Sequence, residues 1–85
     1  MSYVFTFGDS NTAIAAEHVL LESDLKPSVM PLVPQIGKGC GFCLRLEQDQ
    51  AEAAKQALAM ASIQFSVFRR TPSQSGFEYT KIQDL

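Results

Sequence analysis

The chain has 85 residues, which suits one small domain, because two separate cores of about 40 residues each would lie near the lower limit for folding without disulfides or metals. Hydrophobic residues make up 46% and charged residues 19%, which is typical of a globular domain and excludes a disordered or collagen-like chain. The net charge is −2 and the most basic cluster is the pair Arg69-Arg70, so nucleic-acid binding is not expected as the main activity. We expect a single domain over residues 1–85, with a core at about 3–69.

The sequence contains no pattern typical of a membrane or secreted protein. The first apolar stretch, residues 3–7, has no positively charged leader, and no apolar stretch approaches the about 20 residues that cross a bilayer. Cys40 and Cys43 are too close in the chain to link distant parts of a small fold, so they do not form a disulfide framework. We therefore expect a cytoplasmic protein with no membrane partner.

The chain begins with a predicted strand, because residues 3–7 are aromatic and β-branched. A helix is predicted over residues 11–23, with Asp9 or Ser10 as its N-cap. Its apolar positions recur at helical spacing and are mostly small: Ala13, Ala16 and Leu20. Such a narrow face allows the helix to lie close to a sheet.

The middle of the chain predicts two strands joined by a glycine-rich loop. Residues 28–33 form the second strand, and Pro31 within it indicates the edge of a sheet. Residues 34–41 form the loop, since they contain three of the five glycines. The third strand covers residues 42–46, where apolar side chains at every second position predict a half-buried strand.

The second half of the chain predicts another helix and strand. Asp49 and Glu52 match a capping box, and alanines at helical spacing continue the helix to about residue 62. Residues 63–69 form the fourth strand. The remainder, residues 71–85, forms either an extra strand or a loosely docked tail.

The predicted order of elements is β-α-β-β-α-β. This order is typical of an α+β fold of the ferredoxin-like type, in which an antiparallel sheet carries two helices on one face. The other face of the sheet is then expected to stay open.

Cys40 and Cys43 form a C-x-x-C pattern, which serves dithiol exchange when it opens a helix, because the helix N-terminus stabilises the thiolate. Here the residues after Cys43 continue as a strand, so that context is missing. The pattern therefore favours a single reactive thiol, Cys40, over a dithiol pair.

The neighbours of Cys40 support this hypothesis. Gly39 and Gly41 give it minimal side-chain cover, while Lys38 and Arg45 supply positive charge that favours the thiolate form. An alternative stays open, in which the glycines only turn a hairpin and Cys40 packs as a small hydrophobic residue.

Other side chains do not indicate a cofactor site. A structural zinc site needs four ligands, and the two thiols with His18 supply at most three, so no metal is expected. His18 and Glu22 are one helical turn apart on the polar side and are predicted to form a solvated pair. Residues 37–39 lack the Ser/Thr and the following helix of a phosphate loop, so no nucleotide cofactor is expected.

Three segments of the chain carry a pattern found together in one known family. They are Phe7-x-Asp9-Ser10-x-x-Ala13-x-x-Ala16-Glu17, the proline-ended strand at residues 29–34 and, above all, Cys40-Gly41-x-x-Leu44-Arg45-Leu46. With these motifs the chain resembles the putative Se/S carrier protein-like family of small bacterial domains, from residue 3 to about residue 68.

The resemblance implies a sulfur or selenium carrier with little turnover of its own. In such a protein Cys40, the family cysteine, accepts a persulfide or selenopersulfide from a donor enzyme such as a cysteine desulfurase and passes it to an acceptor protein. Cys43 stands where a small apolar residue is expected in the family, so it is either a local substitution or an added resolving thiol.

Two other functions stay open at this point. One is a dithiol oxidoreductase in which Cys40 attacks and Cys43 resolves the mixed disulfide. The other is a non-catalytic interaction or regulatory module that uses the open sheet face or an edge strand, and a homodimer through the exposed sheet is also left open.

Overall fold

The structure is a computed structural model that describes residues 1–37 and 41–83. Its elements in chain order are β1 (Ser2–Thr6), α1 (Ser10–Glu22), β2 (Ser28–Pro31), β3 (Phe42–Glu47), α2 (Gln48–Met60), β4 (Ser66–Ser73) and β5 (Gly76–Ile82). The predicted α+β fold and its β-α-β-β-α-β order are confirmed. The tail of the chain supplies a fifth strand.

The five strands form one antiparallel sheet in the order β2-β3-β1-β4-β5. β1 lies at the centre, where Phe5 is opposite Leu44 on β3 and Val67 on β4. β2 lies at one edge, which is the position that Pro31 predicted. β5 extends the four ferredoxin-like strands and forms the opposite edge.

The two helices bury the same pattern of side chains against one face of this sheet. The buried helical residues are Ala13, Ala16 and Leu20 in α1 and Ala51, Ala54 and Leu58 in α2. All of them except Ala51 pack with Phe5, Leu44, Leu46 and Val67 in a single hydrophobic core. Because the alanine side chains are small, each helix can approach the strands closely.

The helices also end in the same way. Asp24 after α1 and Ser62 after α2 both have a positive φ, of 63° and 59°. Each turn is closed by a hydrogen bond from the next residue back to a buried leucine: Leu25 N donates to Leu20 O at 3.0 Å, and Ile63 N donates to Leu58 O at 2.9 Å. Both following residues pack on the core, so the turns direct the chain back to the sheet.

The N-cap of α1 is Asp9, one of the two predicted candidates. Its backbone is extended, with φ −152°, and its Oδ1 accepts a hydrogen bond from the Thr12 N–H at 2.7 Å. That bond is the main reason why the pKa of the Asp9 carboxyl lies below its ordinary value of 3.8.

The predicted capping box of α2 is wrong. The helix begins at Gln48, its N-cap is Glu47, and no side chain makes a cap hydrogen bond there. Asp49 therefore lies inside the first turn, where its charge still complements the helix dipole. The reason is that β3 runs directly into α2 without a connecting loop, so the helix starts earlier than the capping pattern suggests.

β4 is shifted along the chain from its predicted position at residues 63–69. It begins at Ser66 and continues through Pro72 to Ser73, where it turns into β5. Gly76 opens β5 with a φ of +133°, which residues with a side chain rarely adopt. Phe65 precedes the strand but packs on the core, with its ring 5.2 Å from that of Phe5.

The close approach of α2 to the sheet can be tested by enlarging one alanine. We expect Ala54→Leu to lower the free energy of unfolding by about 1 to 3 kcal/mol, because residue 54 is fully buried and the added atoms must displace neighbouring core side chains. Ala53→Leu is the matched control, since residue 53 is exposed on the same helix. Urea unfolding measures both, and equal effects of the two changes would contradict this packing.

The Asp9 cap should make stability depend on pH. Since the carboxyl has a lower pKa in the folded chain than in the unfolded chain, its contribution is complete above the ordinary value of 3.8 and is lost as the pH falls through the lower folded value. We expect Asp9→Ala to lower the melting temperature at neutral pH and to have a smaller effect in strong acid. Asp9→Asn, which keeps a capping oxygen without a charge, is the control; a loss from Asp9→Ala that is the same at both pH values would contradict this role.

Candidate functional site

The connection between β2 and β3 is a loop that is closed at its base. Leu32 N donates to Gly41 O at 3.4 Å, one step beyond the pairing of Pro31 with Phe42. Farther along, Ile36 N donates to Val33 O at 3.0 Å and forms a turn. The loop comprises residues 32–41, and its base, at Leu32 and Gly41, lies at the end of the sheet where β2 and β3 meet it.

Three of the predicted site residues, Lys38, Gly39 and Cys40, lie outside the described residues. The described part of the loop ends at Gly37, which has a φ of +97°, and resumes at Gly41. Gly41 is exposed, and a Cβ built on it would meet no atom within 4 Å. The space that a side chain at position 41 would occupy is therefore open.

Two other connections lie at the same end of the sheet as this loop. The strand pair of Thr6 with Ser66 places the β1–α1 turn and the α2–β4 connection there. Between them is a depression of about 450 Å³, lined by Asn11, Thr12, Ala15, Ser62, Ile63 and Gln64. The described site residues Gly41, Cys43 and Arg45 do not line it, so this depression is separate from the predicted site.

Cys43 is the second residue of β3 and is completely buried. It lies opposite Met30 of β2 and alternates with Leu44, so it points to the sheet face that the helices leave uncovered. Its Sγ donates to the Pro31 carbonyl oxygen at 3.7 Å. The strand was predicted to be half-buried, yet the thiol on its second face is as well covered as the core residues.

Arg45 lies two residues farther along β3, on the same sheet face as Cys43. Its guanidinium forms an ion pair with Glu47 and donates to Ser28 Oγ at 3.4 Å. Phe42, where the loop meets β3, lies about 10 Å from Arg45 along the strand. In this conformation the positive charge of Arg45 is balanced by Glu47, beside β2.

A polar cluster that the sequence analysis missed lies on the same face, on β4 and β5. Arg70 stacks on Phe77, with its Cζ 3.4 Å from the ring centroid, and its Nε donates to the Tyr79 hydroxyl at 3.3 Å. Its Nη1 is 3.5 Å from Ser2 Oγ. The alternation of side chains along β4 and β5 identifies this cluster only once the pairing register of the two strands is known. The cluster lies toward the hairpin, at the end of the sheet remote from the loop.

Other candidate groups remain separate from the site. His18 and Glu22 form an exposed pair on α1, with Nε2 and Oε2 3.9 Å apart, as the spacing predicted. Among residues 1–37 and 41–83, no group of three or more His, Cys, Asp or Glu side chains is placed to hold a metal ion. Neither helix of the described chain is long and apolar enough to span a membrane.

The chain was compared with protein families, curated proteins and solved structures. A family model described as "Putative Se/S carrier protein-like" matches residues 2–69 and confirms the resemblance found in the sequence. The matched segment runs from β1 into the first half of β4 and includes the loop with Cys40 and Gly41. No curated protein and no solved structure matches the chain.

The burial of Cys43 predicts slow reaction with a neutral alkylating reagent. We expect the thiol in the Cys40→Ser variant to be modified slowly in the folded state and rapidly in urea, because Cys43 is fully buried within β3. In the Cys43→Ser variant, we expect fast modification of Cys40 without denaturant. Mass spectrometry of timed samples measures both rates; fast labelling of folded Cys40→Ser would contradict the buried position.

Proposed function

Because the chain belongs to the Putative Se/S carrier protein-like family, we propose that it carries a sulfur or selenium atom on Cys40 and delivers it to an acceptor protein. The observation that carries this proposal is the family match over residues 2–69, which includes the Cys40-Gly41 pair on which the sequence resemblance depends.

The proposed loading step is an exchange between sulfur atoms. The Cys40 thiolate attacks the terminal sulfur of a persulfide on the donor enzyme, and the sulfur–sulfur bond of the donor breaks. The donor cysteine leaves as a thiolate, while the terminal sulfur remains on Cys40 as a new persulfide. No external oxidant or reductant is consumed. Selenium follows the same scheme, and an acceptor thiolate reverses it at delivery.

The described geometry supports a single working thiol. Cys43 is buried in β3 with its sulfur at the Pro31 carbonyl, so a partner protein cannot reach it without opening the sheet. The loop that contains Cys40 is closed at its base by the Leu32–Gly41 hydrogen bond, and the space around Gly41 is open. A closed base beside open space suits a group that must meet two different proteins in turn.

The residues around Cys40 and the nearby Arg45 also have roles in the proposal. Gly39 and Gly41 have no side chains that could cover Cys40, and the proposed role of Lys38 is to stabilise the thiolate and then the anionic terminal sulfur. Arg45 is the second cation of the proposal; since its guanidinium contacts Glu47 and Ser28, it must exchange those partners to act at the loop.

The proposed partners are a cysteine desulfurase or a selenium donor enzyme and a downstream acceptor protein. We place this exchange in the cytoplasm, where thiols are kept reduced and a cysteine persulfide can be passed on. Release of the atom would then depend on the acceptor rather than on catalysis by the carrier.

The carrier role predicts an asymmetry between the two cysteines. After incubation with a cysteine desulfurase and cysteine, the wild-type chain should gain the mass of one sulfur atom, and Cys40→Ser should eliminate this adduct. Cys43→Ala should load normally, because the second thiol takes no part in accepting the atom. Intact mass spectrometry, with a reducing agent added to remove the sulfur, measures the adduct.

The dithiol oxidoreductase gives the opposite result in the same samples. Its mixed disulfide needs both thiols, so Cys40→Ser and Cys43→Ala would abolish turnover equally. A stable Cys40–Cys43 disulfide that a thioredoxin-type donor reduces, with no desulfurase-dependent adduct, would exclude the carrier role.

A further inference from the structure

The outer edge of β5 is long, and its backbone N–H and C=O groups have no strand partner within the described sheet. β5 has seven residues and no proline, and no strand among the described residues pairs with its outer side. The opposite edge, β2, has only four residues and includes Pro31. Since β5 lies beyond the family-matched residues 2–69, the carrier role does not account for this edge. An exposed edge of this kind is a template for another strand.

Pro72 determines which groups of β5 point outward. It lies opposite Phe77 on β5, and proline has no N–H to donate. The Pro72–Phe77 pair is therefore a non-hydrogen-bonded pair of the antiparallel ladder, and such pairs alternate with hydrogen-bonded ones. It follows that Phe77, Tyr79 and Lys81 direct their N–H and C=O groups away from β4.

We propose that two copies of the chain pair through antiparallel β5 strands, with Tyr79 opposite Tyr79 of the partner subunit. In this register Phe77 lies opposite Lys81 of the partner subunit, so all three outward-pointing residues of each copy find hydrogen-bonding partners. A shift by two residues in either direction leaves one of the three without a partner. One of these shifts also places Glu78 opposite Glu78 of the partner subunit, where like charges repel.

The side chains of β5 favour the same register. Phe77 is 42% exposed, and the Arg70 guanidinium covers its ring on the side of β4. The pairing brings an exposed Lys81 ammonium to the side of Phe77 that β4 leaves open, where cation–π attraction stabilises the contact. On the helix face, Glu78 lies opposite the neutral Thr80 of the partner subunit.

The resulting dimer is a continuous ten-stranded sheet. Because the two-fold axis of an antiparallel strand pair is perpendicular to the sheet, both helix pairs lie on the same side. The strands of the two copies run in opposite directions, so the two loops at residues 32–41 lie at opposite ends of the sheet. Each loop can then meet its own partner protein without obstruction by the other.

Cross-linking tests the register directly. In a Cys40→Ser, Cys43→Ser background, Tyr79→Cys places two thiols in a hydrogen-bonded pair with Cα atoms about 5.5 Å apart, within the range of a disulfide. Glu78→Cys is the matched control, because its two copies are offset by two residues and lie about 8 Å apart. With oxidised glutathione as the oxidant, we expect Tyr79→Cys to form a linked dimer about tenfold faster than Glu78→Cys. Equal rates, or a faster control, would overturn the register.

Association of the unmodified chain is measured independently by sedimentation equilibrium. We expect a monomer–dimer equilibrium whose dissociation constant rises about tenfold in Lys81→Pro, which removes an outward-pointing N–H from each copy. Lys81→Ala loses the same ammonium but keeps the N–H, so it should weaken the dimer less. Circular dichroism establishes that each variant is folded. A wild-type chain that remains monomeric at every concentration, or two substitutions with equal effects, would overturn the proposal whether or not Cys40 accepts sulfur.

Discussion

The contact on which this fold depends is the packing of two alanine-rich helix faces on one side of the sheet. α1 and α2 each bury two alanines and a leucine, and five of these six side chains, all except Ala51, pack with the inner residues of the three central strands. Small side chains bring the helix backbones close to the strands, so the leucines and phenylalanine fill the remaining space. Both helices end in a left-handed turn, and the hydrogen bond that closes each turn returns the chain to this core.

One-sided packing of the helices raises the question of how Cys43, on the other sheet face, is protected. No helix covers the second face, yet Val4 and Cys43 on it are completely buried. The long side chains of the neighbouring strands provide the cover: Val4 lies between Arg45 and Phe68 in the register of the central strands. The Cys43 thiol within the sheet is thus protected without a second layer of helices. The protection of Cys43 comes from its place in β3, between two neighbouring strands, rather than from the spacing of the C-x-x-C pattern.

Most of the element types could be predicted from the sequence, because periodicity alone identifies strands and helices that pack on one face. The start of α2 could not be predicted, since Asp49 and Glu52 form a capping pattern that the direct transition from β3 makes unnecessary. β4 continues through Pro72 because this residue lies opposite Phe77 in a pair that needs no N–H from the proline. Only the pairing register of β4 with β5 shows that this position is of that kind. At the site, the charge of Arg45 made it a candidate from the sequence. Its ion pair with Glu47 could not be predicted, because it depends on both side chains lying on the same face of β3.

The edge position of β2 has a consequence for the dynamics of the site. β2 contributes four residues, three of them exposed, and it pairs with β3 alone, whereas β3 is also held by β1. Local opening costs least where few buried contacts are lost, so β2 should detach far more often than the chain unfolds, and its amide protons should exchange first within the sheet. The end of the loop at β2 is therefore movable, whereas the end at β3 is fixed. Opening of β2 would release one end of this connection, while β3 keeps its pairing with β1 and the core stays closed.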